Sequence, residues 1–365
     1  MRPRRDSRTA MPGARARRQG VVVNDSESIK GVVWDLDDTI WPGNLPEGSV
    51  STPSAAIVEV IRTLDERGIV QSIASRSPRE PALDRLRQCA LIDYFLCPQL
   101  EFGPKSGSVR EISRRLGIAP RHLALVDDQS SELDEVRQQL PEVMCILASD
   151  AVDIPAMSRM RPPHRTAESS QRRAMYAAEL ARVEDAARFP GSPEEFLRSL
   201  GLDAEIFRMT SQHLVRAAEL VGRVHQLNTT GHAYSLDQLA AVIGSAGHVM
   251  WGLSLRDRYG SYGQVGLALI ARQPGLWTIK LLLVSCRVLS RGAADVLLWH
   301  LRAEARRDGA NLQIEFIPNE TNSLTSALLK LGGFREVARS GQTRFFEDEA
   351  ATIESPTCTV QVISN

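Results

Sequence analysis

Two close pairs of aspartates stand in the first 130 residues, each directly after an apolar run. Asp35 and Asp37 follow Val32-Val33-Trp34, and Asp127 and Asp128 follow Leu123 to Val126. Carboxylates at the end of a buried strand are costly to desolvate unless a cation or hydrogen bonds compensate. If both runs are strands of one parallel sheet, their ends lie on one edge, and four carboxylates converge in the crevice where such folds bind ligands. That set suits Mg²⁺, which takes one or two carboxylates together with phosphate oxygens and water. Ser75, after the strand-like Ile69 to Ala74, and Lys105, ahead of a helix, add a hydroxyl and an ammonium able to hold phosphate oxygens on the same edge. Lysine is scarce in this chain, at Lys30, Lys105, Lys280 and Lys330 only among 44 Lys and Arg. A lysine kept where arginine is so favoured points to chemistry. The plainer reading of any one of these aspartates is a loop residue that caps a helix.

A second group lies in the other half of the chain. Leu281 to Val284 reads as a buried strand, followed by Ser285, Cys286, Arg287, Ser290, Arg291 and Gly292 and then a helix. A cysteine at a strand end, beside arginines and a helix N-terminus, sits where its thiol pKa would fall. Such a thiolate could carry an acyl group. Arg287, Arg291 and Gly292 with the helix start could bind phosphate. The alternative is a small apolar residue of the core.

The elements that must position these groups follow from the apolar periodicity. Residues 55–67 carry Ile57, Val58, Val60, Ile61 and Leu64 at helical spacing, Gly68 closes the helix, and a strand pattern returns at Ile69. Helices over 81–90, 106–116 and 131–140 alternate with apolar stretches at 94–97, 122–126 and 143–147. Strands alternating with helices predict an α/β domain with a doubly wound parallel sheet. From about 150 to 175 prolines, serines and basic residues predict a linker. Helices at 174–188, 193–200 and 211–224 precede strands at 249–255, 265–270 and 276–284, then helix 293–308, strand 312–317 and helix 322–331. That order predicts an α+β domain.

Composition narrows the classes. A chain of 365 residues favours two domains. Hydrophobic residues at 43% and charged residues at 24% exclude a mostly disordered or coiled-coil chain. Lys+Arg and Asp+Glu both number 44, so no overall basic field draws the protein to nucleic acid. The apolar runs fall far short of the roughly 20 residues that cross a bilayer. Five cysteines without metal spacing argue against a disulfide framework or a zinc site. The arginine-rich N-terminus has no apolar segment after it, so a secretory signal is not supported and cytoplasm is the expected location.

Strand-DxDxT, strand-Ser, Lys and strand-DD, in this order, resemble the haloacid dehalogenase superfamily of phosphotransferases. That resemblance implies Asp35 as the nucleophile that forms an aspartyl-phosphate and Asp37 as the general acid/base. It implies that Asp35, the Asp37 backbone carbonyl and Asp127 or Asp128 hold Mg²⁺, and that Thr39, Ser75 and Lys105 orient the phosphoryl group. The loop from Arg287 to Gly292 and the helix after it resemble the pyrophosphate loop of the GNAT acyltransferase fold, with Ser290 where a glycine is usual. Over about residues 30 to 340 the chain resembles the FkbH-like proteins. The carriers are Val33-Trp-Asp-Leu-Asp-Asp-Thr-Ile-Trp41, Ser72-Ile-Ala-Ser-Arg76, Val126-Asp-Asp-Gln129, Gln226-Leu-Asn-Thr-Thr-Gly231, Arg256-Asp-Arg-Tyr-Gly260 and Leu283-Val-Ser-Cys-Arg-Val-Leu289. The resemblance is closest to members that supply methoxymalonyl extender units to polyketide synthases.

The resemblance implies a division into a basic tail over 1–28, a haloacid dehalogenase-like phosphatase domain over 29–150, linker and helices over 151–210, a GNAT-like domain over 211–345 and a tail over 346–365. It implies transfer of a glyceryl unit from 1,3-bisphosphoglycerate, with dephosphorylation, to the phosphopantetheine thiol of an acyl carrier protein, with no nucleic acid or membrane partner. Cys286 would carry the acyl group, and Glu315, His225 or Asn322 would act as base or orienter. The chain departs from the family pattern at Ser77-Pro78-Arg79, at Ser130-Ser131 and at His225. A small-molecule phosphatase whose C-terminal domain binds a partner, and an acyl-CoA acyltransferase with a structural first domain, are the other two readings.

Overall fold

The computed structural model describes residues 28–48, 51–162, 166–224, 227–350, 356 and 358–363. Residues 1–27, where the sequence predicts a basic tail, lie outside the described residues.

The first unit is the expected doubly wound α/β sheet. In chain order it comprises β1 (Gly31–Trp34), α1 (Ala55–Glu66), β2 (Val70–Ser75), α2 (Arg79–Gln88), β3 (Gln99–Leu100), α3 (Lys105–Leu116), β4 (Leu123–Asp127), α4 (Ser130–Gln139) and β5 (Met144–Leu147). The strands pair in parallel in the order β3-β2-β1-β4-β5. β1 is central and wholly buried, as a strand covered on both faces must be. Its side chains divide between two cores, Val32 and Trp34 on one face and Val33 on the other. The α1 stripe Ile57, Val60, Ile61 and Leu64 packs on one face, and the Ser54 hydroxyl caps the helix by accepting from the Ile57 amide at 3.2 Å. Gly68 ends the helix in the left-handed region at φ 70°, and a Cβ there would stand 2.7 Å from the Ser169 carbonyl oxygen. Conformation and space therefore both require glycine.

The stretch expected as a linker is in part packed structure. A 3₁₀ segment at Ala148–Ala156 and another at Ser158–Met160 bury Ala151, Ile154 and Met160 in the α1-side core. Their few apolar residues are spaced to reach one face, which the prolines and charges around them mask in sequence. Next come α5 (Ala167–Ser170), α6 (Arg172–Arg188) and α7 (Pro193–Ser199).

The second unit comprises β6 (Asp203–Arg208), α8 (Leu214–Arg223), α9 (Leu236–Ile243), β7 (His248–Asp257), β8 (Gly260–Gln273), β9 (Leu276–Val284), α10 (Ala293–Arg307), β10 (Asn311–Phe316), α11 (Ser323–Leu331), β11 (Phe334–Ser340), β12 (Thr343–Asp348) and β13 (Thr359–Ile363). The sheet runs β11-β12-β10-β9-β8-β7-β6-β13. β6 to β9 pair antiparallel, and β10 runs parallel to β9. The expected α+β arrangement is present, with α9, β6, β11, β12 and β13 in addition. Thus the sheet begins before residue 211 and runs past 345, and the segment expected as a C-terminal tail adds β13 alongside β6. Among the described residues no helix is long and apolar enough to cross a membrane.

α6 links the units. Seven of its 17 residues are charged and reach toward both units. Arg173 donates to Asp65 at 2.9 Å, and its guanidinium lies 5.1 Å from the centre of the Tyr94 ring, both in the first unit. Arg182 makes two hydrogen bonds to the fully buried Asp257 carboxylate at the end of β7, at 2.7 and 2.8 Å.

Candidate functional site

The acidic edge follows directly from strand register. β1 and β4 are adjacent and parallel, with Trp34 opposite Val126, so Asp35 and Asp127 leave the sheet side by side. The Asp35 amide donates to the Val126 carbonyl at 2.9 Å, extending the ladder by one bond. Ser75 ends β2 on the other side of β1. Lys105 opens α3 and is buried, with its ammonium donating to Asp35 Oδ1 and, at 2.6 Å, to the Ala74 carbonyl. It stands 3.0 Å from Asp127 Oδ2. Asp127 Oδ1 accepts from the Gln129 amide at 2.9 Å.

Burial dominates the electrostatics here. It pushes the Asp35 carboxyl up to about 6, with Lys105 opposing and Asp127 reinforcing the shift. Burial also raises the Asp128 carboxyl, as does the charge of Asp127. For Lys105, burial favours the neutral amine, but Asp35 and Asp127 together outweigh it and hold the ammonium above its usual range.

Asp37 is held in place by three donors. Its Oδ1 accepts from Trp41 Nε1 at 2.9 Å and from the Leu45 amide at 3.0 Å, and its Oδ2 accepts from the Ser77 hydroxyl at 2.8 Å. Asp38 adopts φ 51°, and its side chain accepts from the Gly43 amide at 2.8 Å, which closes the turn that presents Asp37. Ser77 was not among the expected site residues. It belongs to the departing Ser-Pro-Arg stretch, and its hydroxyl also lies 3.1 Å from that of Ser75. Its position two residues after Ser75 on the same strand end is the one signal that could have marked it.

The chemistry of this edge fits a divalent cation. Among the described residues no group of three or more His, Cys, Asp and Glu side chains is arranged to hold a metal. Magnesium needs fewer, since water and phosphate oxygens complete its shell. Asp128 Oδ1 is buried without a hydrogen-bond partner, as is the hydroxyl of Thr39. Asp35, Asp37, Asp127 and Asp128 together carry more negative charge than Lys105 can balance. The Asp37 carboxylate is already engaged with Trp41, Leu45 and Ser77. An orphaned carboxylate oxygen, an unused hydroxyl and surplus negative charge are what a cation and a phosphoryl group would satisfy.

The second group is built differently. Cys286 begins a 3₁₀ segment, Cys286–Arg291, after β9, and Gly292 at φ 69° turns the chain into α10. The Cys286 side chain lies outside the described part of the structure, as does His225. Arg291, expected at a phosphate, instead donates through Nη2 to both carboxylate oxygens of Glu179 on α6, at 2.7 and 3.0 Å, a charge-assisted pair that takes the place of the anion. Among the described residues Arg287 donates to the Tyr262 carbonyl, at 3.4 Å, and lies 5.7 Å from the centre of the Tyr176 ring. Glu315 of β10 is paired with Lys280 of β9.

Asn322 is fully buried and acts as a structural clamp. Its amide donates to the Asn228 carbonyl at 3.1 Å and the Ile317 carbonyl at 2.9 Å, while its Oδ1 accepts from the Asn319 amide at 2.8 Å. That clamp secures the segment Leu227–Thr230. β9 and β10 pair only from Leu276 to Ile279, and beyond that point the segment closes the gap. The Thr229 amide donates to Leu282, the Val284 amide to Leu227 and the Ile317 amide to Thr229, at 2.9 to 3.0 Å. The Thr229 hydroxyl accepts from the Leu282 amide at 2.9 Å. The Asn-Thr-Thr stretch, a polar loop in sequence, thus satisfies the strand edges on both sides.

No protein-family model matches this chain, and no curated protein matches it. Among solved structures it is similar to the N-terminal part of the protein BF1531 from Bacteroides fragilis, containing a phosphatase domain complexed with Mg, at 22% identity and a TM-score of 0.33. That likeness covers 37% of this chain and 40% of the other, so this chain spans less than half of that relative. It is also similar to the ribosomal-protein-S18-alanine N-acetyltransferase of Escherichia coli, at 17% identity and a TM-score of 0.32 over 40% of this chain and 92% of the other. A third likeness is to the PaiA N-acetyltransferase of Thermoplasma acidophilum in complex with coenzyme A, at 12% identity and a TM-score of 0.33 over 40% of this chain and 99% of the other.

Proposed function

We propose that this chain is a two-site enzyme of the FkbH-like kind. It takes a glyceryl unit from 1,3-bisphosphoglycerate, removes the 3-phosphate and loads the unit on the phosphopantetheine thiol of an acyl carrier protein, for a polyketide extender unit such as methoxymalonyl-ACP. The observation that carries the reading is the buried Asp35 carboxylate set between Lys105 and the end of β4, with Asp37 locked beside it. At pH 7 a carboxyl with a pKa of about 6 is roughly nine-tenths ionised, and so able to act as a nucleophile. An Asp35 oxygen attacks phosphorus and the bond to the glycerate C3 oxygen breaks. Asp37 gives that oxygen its proton, and then takes one from the water that cleaves the aspartyl-phosphate. Lys105, Ser75 and Thr39 hold the phosphoryl oxygens. Asp35, the Asp37 backbone carbonyl and Asp127 or Asp128 would hold Mg²⁺, which when bound offsets the phosphate charge.

Cys286 sulfur attacks the acyl-phosphate carbonyl and inorganic phosphate departs, leaving a thioester. The carrier thiol then attacks that thioester and frees Cys286. The test is intact-mass spectrometry of the protein and a phosphopantetheinylated carrier after incubation with 1,3-bisphosphoglycerate and Mg²⁺. A glyceryl mass is expected on the wild-type carrier, absent with Cys286→Ala, and replaced by a phosphoglyceryl mass or none with Asp35→Asn. Phosphate release without any acyl mass would overturn the transferase reading. It would leave a small-molecule phosphatase, the reading favoured by the pairing of Arg291 with Glu179 of α6 and of Glu315 with Lys280.

A further inference from the structure

The face of the second sheet that α10 covers holds a cavity of about 170 Å³, at the strand ends farthest from the Cys286 segment. Strand register builds it. Arg208, the last residue of β6, stands opposite Trp251 of β7, and Arg272 of β8 stands opposite Trp277 of β9, with Val249 beside them. Glu304 in the last turn of α10 and Asp308 at its cap close the other side. A strand rises about 3.3 Å per residue, so Trp277 lies roughly 20 Å from Val284 at the other end of β9. Neither the Asp35 edge nor the Cys286 segment contributes a lining residue.

The acids around this cavity are taken, whereas donors are left over. Glu304 pairs with Arg307, and Asp308 pairs with Arg272, whose guanidinium also lies 4.7 Å from the centre of the Trp277 ring. Arg208 is exposed and enters no ion pair among the described residues. The Trp251 ring is only 6% exposed, and its indole N–H is buried without an acceptor. A buried indole N–H ordinarily finds one. The same ring stands edge to face with His300 of α10, 4.3 Å between centres, and His300 Nε2 is likewise buried without a partner. Burial holds the His300 imidazole below its usual 6.5, against the charge of Glu304, so it adds no positive charge at pH 7.

Two indoles and two carboxylates would ordinarily suit a cation. Here Arg272 already covers Trp277 and both carboxylates are paired, so the open places call for an acceptor instead. Space sets the size of the ligand. An apolar cavity of about 150 Å³ holds benzene, and 170 Å³ therefore accepts a single ring or a short branched chain with a carboxylate at the rim.

We propose that this cavity binds a small carboxylic acid with a flat or branched apolar body, its carboxylate accepting from Arg208 and from the Trp251 indole and its body lying against Val249 and Trp277. The ligand ties β6 and β7 to the end of α10, at a place remote from both sites described above.

The test is tryptophan fluorescence and isothermal titration of the full chain with benzoate, isobutyrate and acetate at constant ionic strength. Chloride is the control, and benzylamine is the cationic counterpart of benzoate. Benzoate or isobutyrate is expected to bind saturably and more tightly than acetate, because the apolar body is buried. Arg208→Gln should weaken that binding about tenfold or more, as loss of a charged hydrogen bond does. Trp251→Phe keeps an aromatic ring, removes the N–H and should weaken it about fivefold. Arg208 is exposed and holds no other charged residue among those described, so its variant serves if Trp251→Phe does not fold. Benzylamine binding as tightly as benzoate, unchanged affinity in Arg208→Gln, or no saturation by any of the three acids would overturn the site.

Discussion

The ends of β1, β2 and β4 and the end of β9 are both strand termini with polar residues, yet they are organised in opposite ways. At the first, the polar groups face one another and are left with excess negative charge, an orphaned Asp128 oxygen and an unused Thr39 hydroxyl. At the second, Arg291 and Glu315 have found partners within the protein, and Asn322 holds backbone. Unpartnered groups concentrated at one place indicate what is missing from it, and paired groups indicate what the fold uses to hold itself together. By this measure the first edge has polar groups free for a cation and phosphate, while those at the end of β9 hold the fold together.

The largest effect expected is on chemistry at the first edge. Asp37→Asn keeps an acceptor for Trp41 and Leu45 but cannot transfer protons, and phosphate release should fall by about 10²–10⁴-fold with the melting temperature nearly unchanged. An equal loss of stability would mean that Asp37 is a turn residue and would erase the contrast between the two regions. Chelation of divalent cations should abolish phosphate release, and restored Mg²⁺ should recover it and raise the melting temperature. Full turnover in EDTA would show that Lys105 alone balances the edge.

At the junction the expected effect is on stability. Arg182→Ala strands the buried Asp257 carboxylate, and denaturant unfolding should show a loss of about 3–5 kcal/mol. A loss below about 1 kcal/mol would show that the Arg182–Asp257 pair does not hold α6 to β7. Ser77→Ala removes one hydroxyl from Asp37, and a hydrogen bond to a charged group contributes about 1.5–3 kcal/mol, so turnover should drop roughly tenfold or more. No change in turnover would return Ser77 to the status of a bystander.

The smallest and most diagnostic difference is in acid. For Glu219, burial acts against ionisation, but Arg172 and Arg216 outweigh it and hold the carboxyl below its usual 4.5. For Asp257 burial is likewise outweighed, by the bonds from Arg182 and Tyr262, and the carboxyl lies below 3.8. Both therefore add stability that is present above those ordinary values and lost as pH falls through the lowered ones. Asp35 runs the other way, because its folded value of about 6 lies above 3.8. Its contribution is complete below about 3.8 and lost as pH rises through about 6. Stability measured from pH 7 to 3 should accordingly fall less steeply in Arg182→Ala than in wild type below pH 4, and Asp35→Asn should alter the curve only between about 4 and 6. The same acid slope in wild type and Arg182→Ala would remove Asp257 from the account.

Legibility in sequence also differed between the regions. Asp35, Asp37, Ser75, Lys105 and Asp127 could be placed on one edge before any coordinates, because parallel strands joined by helices must end on the same side. The apolar runs of β1 and β4 are short and uninterrupted, so their ends are plain. β6, β11 and β12 instead carry three charged residues each among six or seven, as in Asp-Ala-Glu-Ile-Phe-Arg, and without a long apolar run they read as loop. Their ladder bonds come from neighbours far along the chain, which propensity does not report. The same holds for β13, whose five residues pair with β6 more than 150 positions earlier in the sequence.

The sequence by itself determined which chemistry the first unit could support, through residue types at strand ends whose convergence is dictated by topology. It also determined the two-part α/β and α+β plan, through the period of its apolar residues. Only the tertiary structure decided that Arg291 serves Glu179, that Asn322 holds the segment closing the gap between β9 and β10, and that Arg223 and Arg287 line one cavity. Ion pairs and buried amides depend on distances across elements that lie up to 112 residues apart in sequence, and no local pattern encodes those distances.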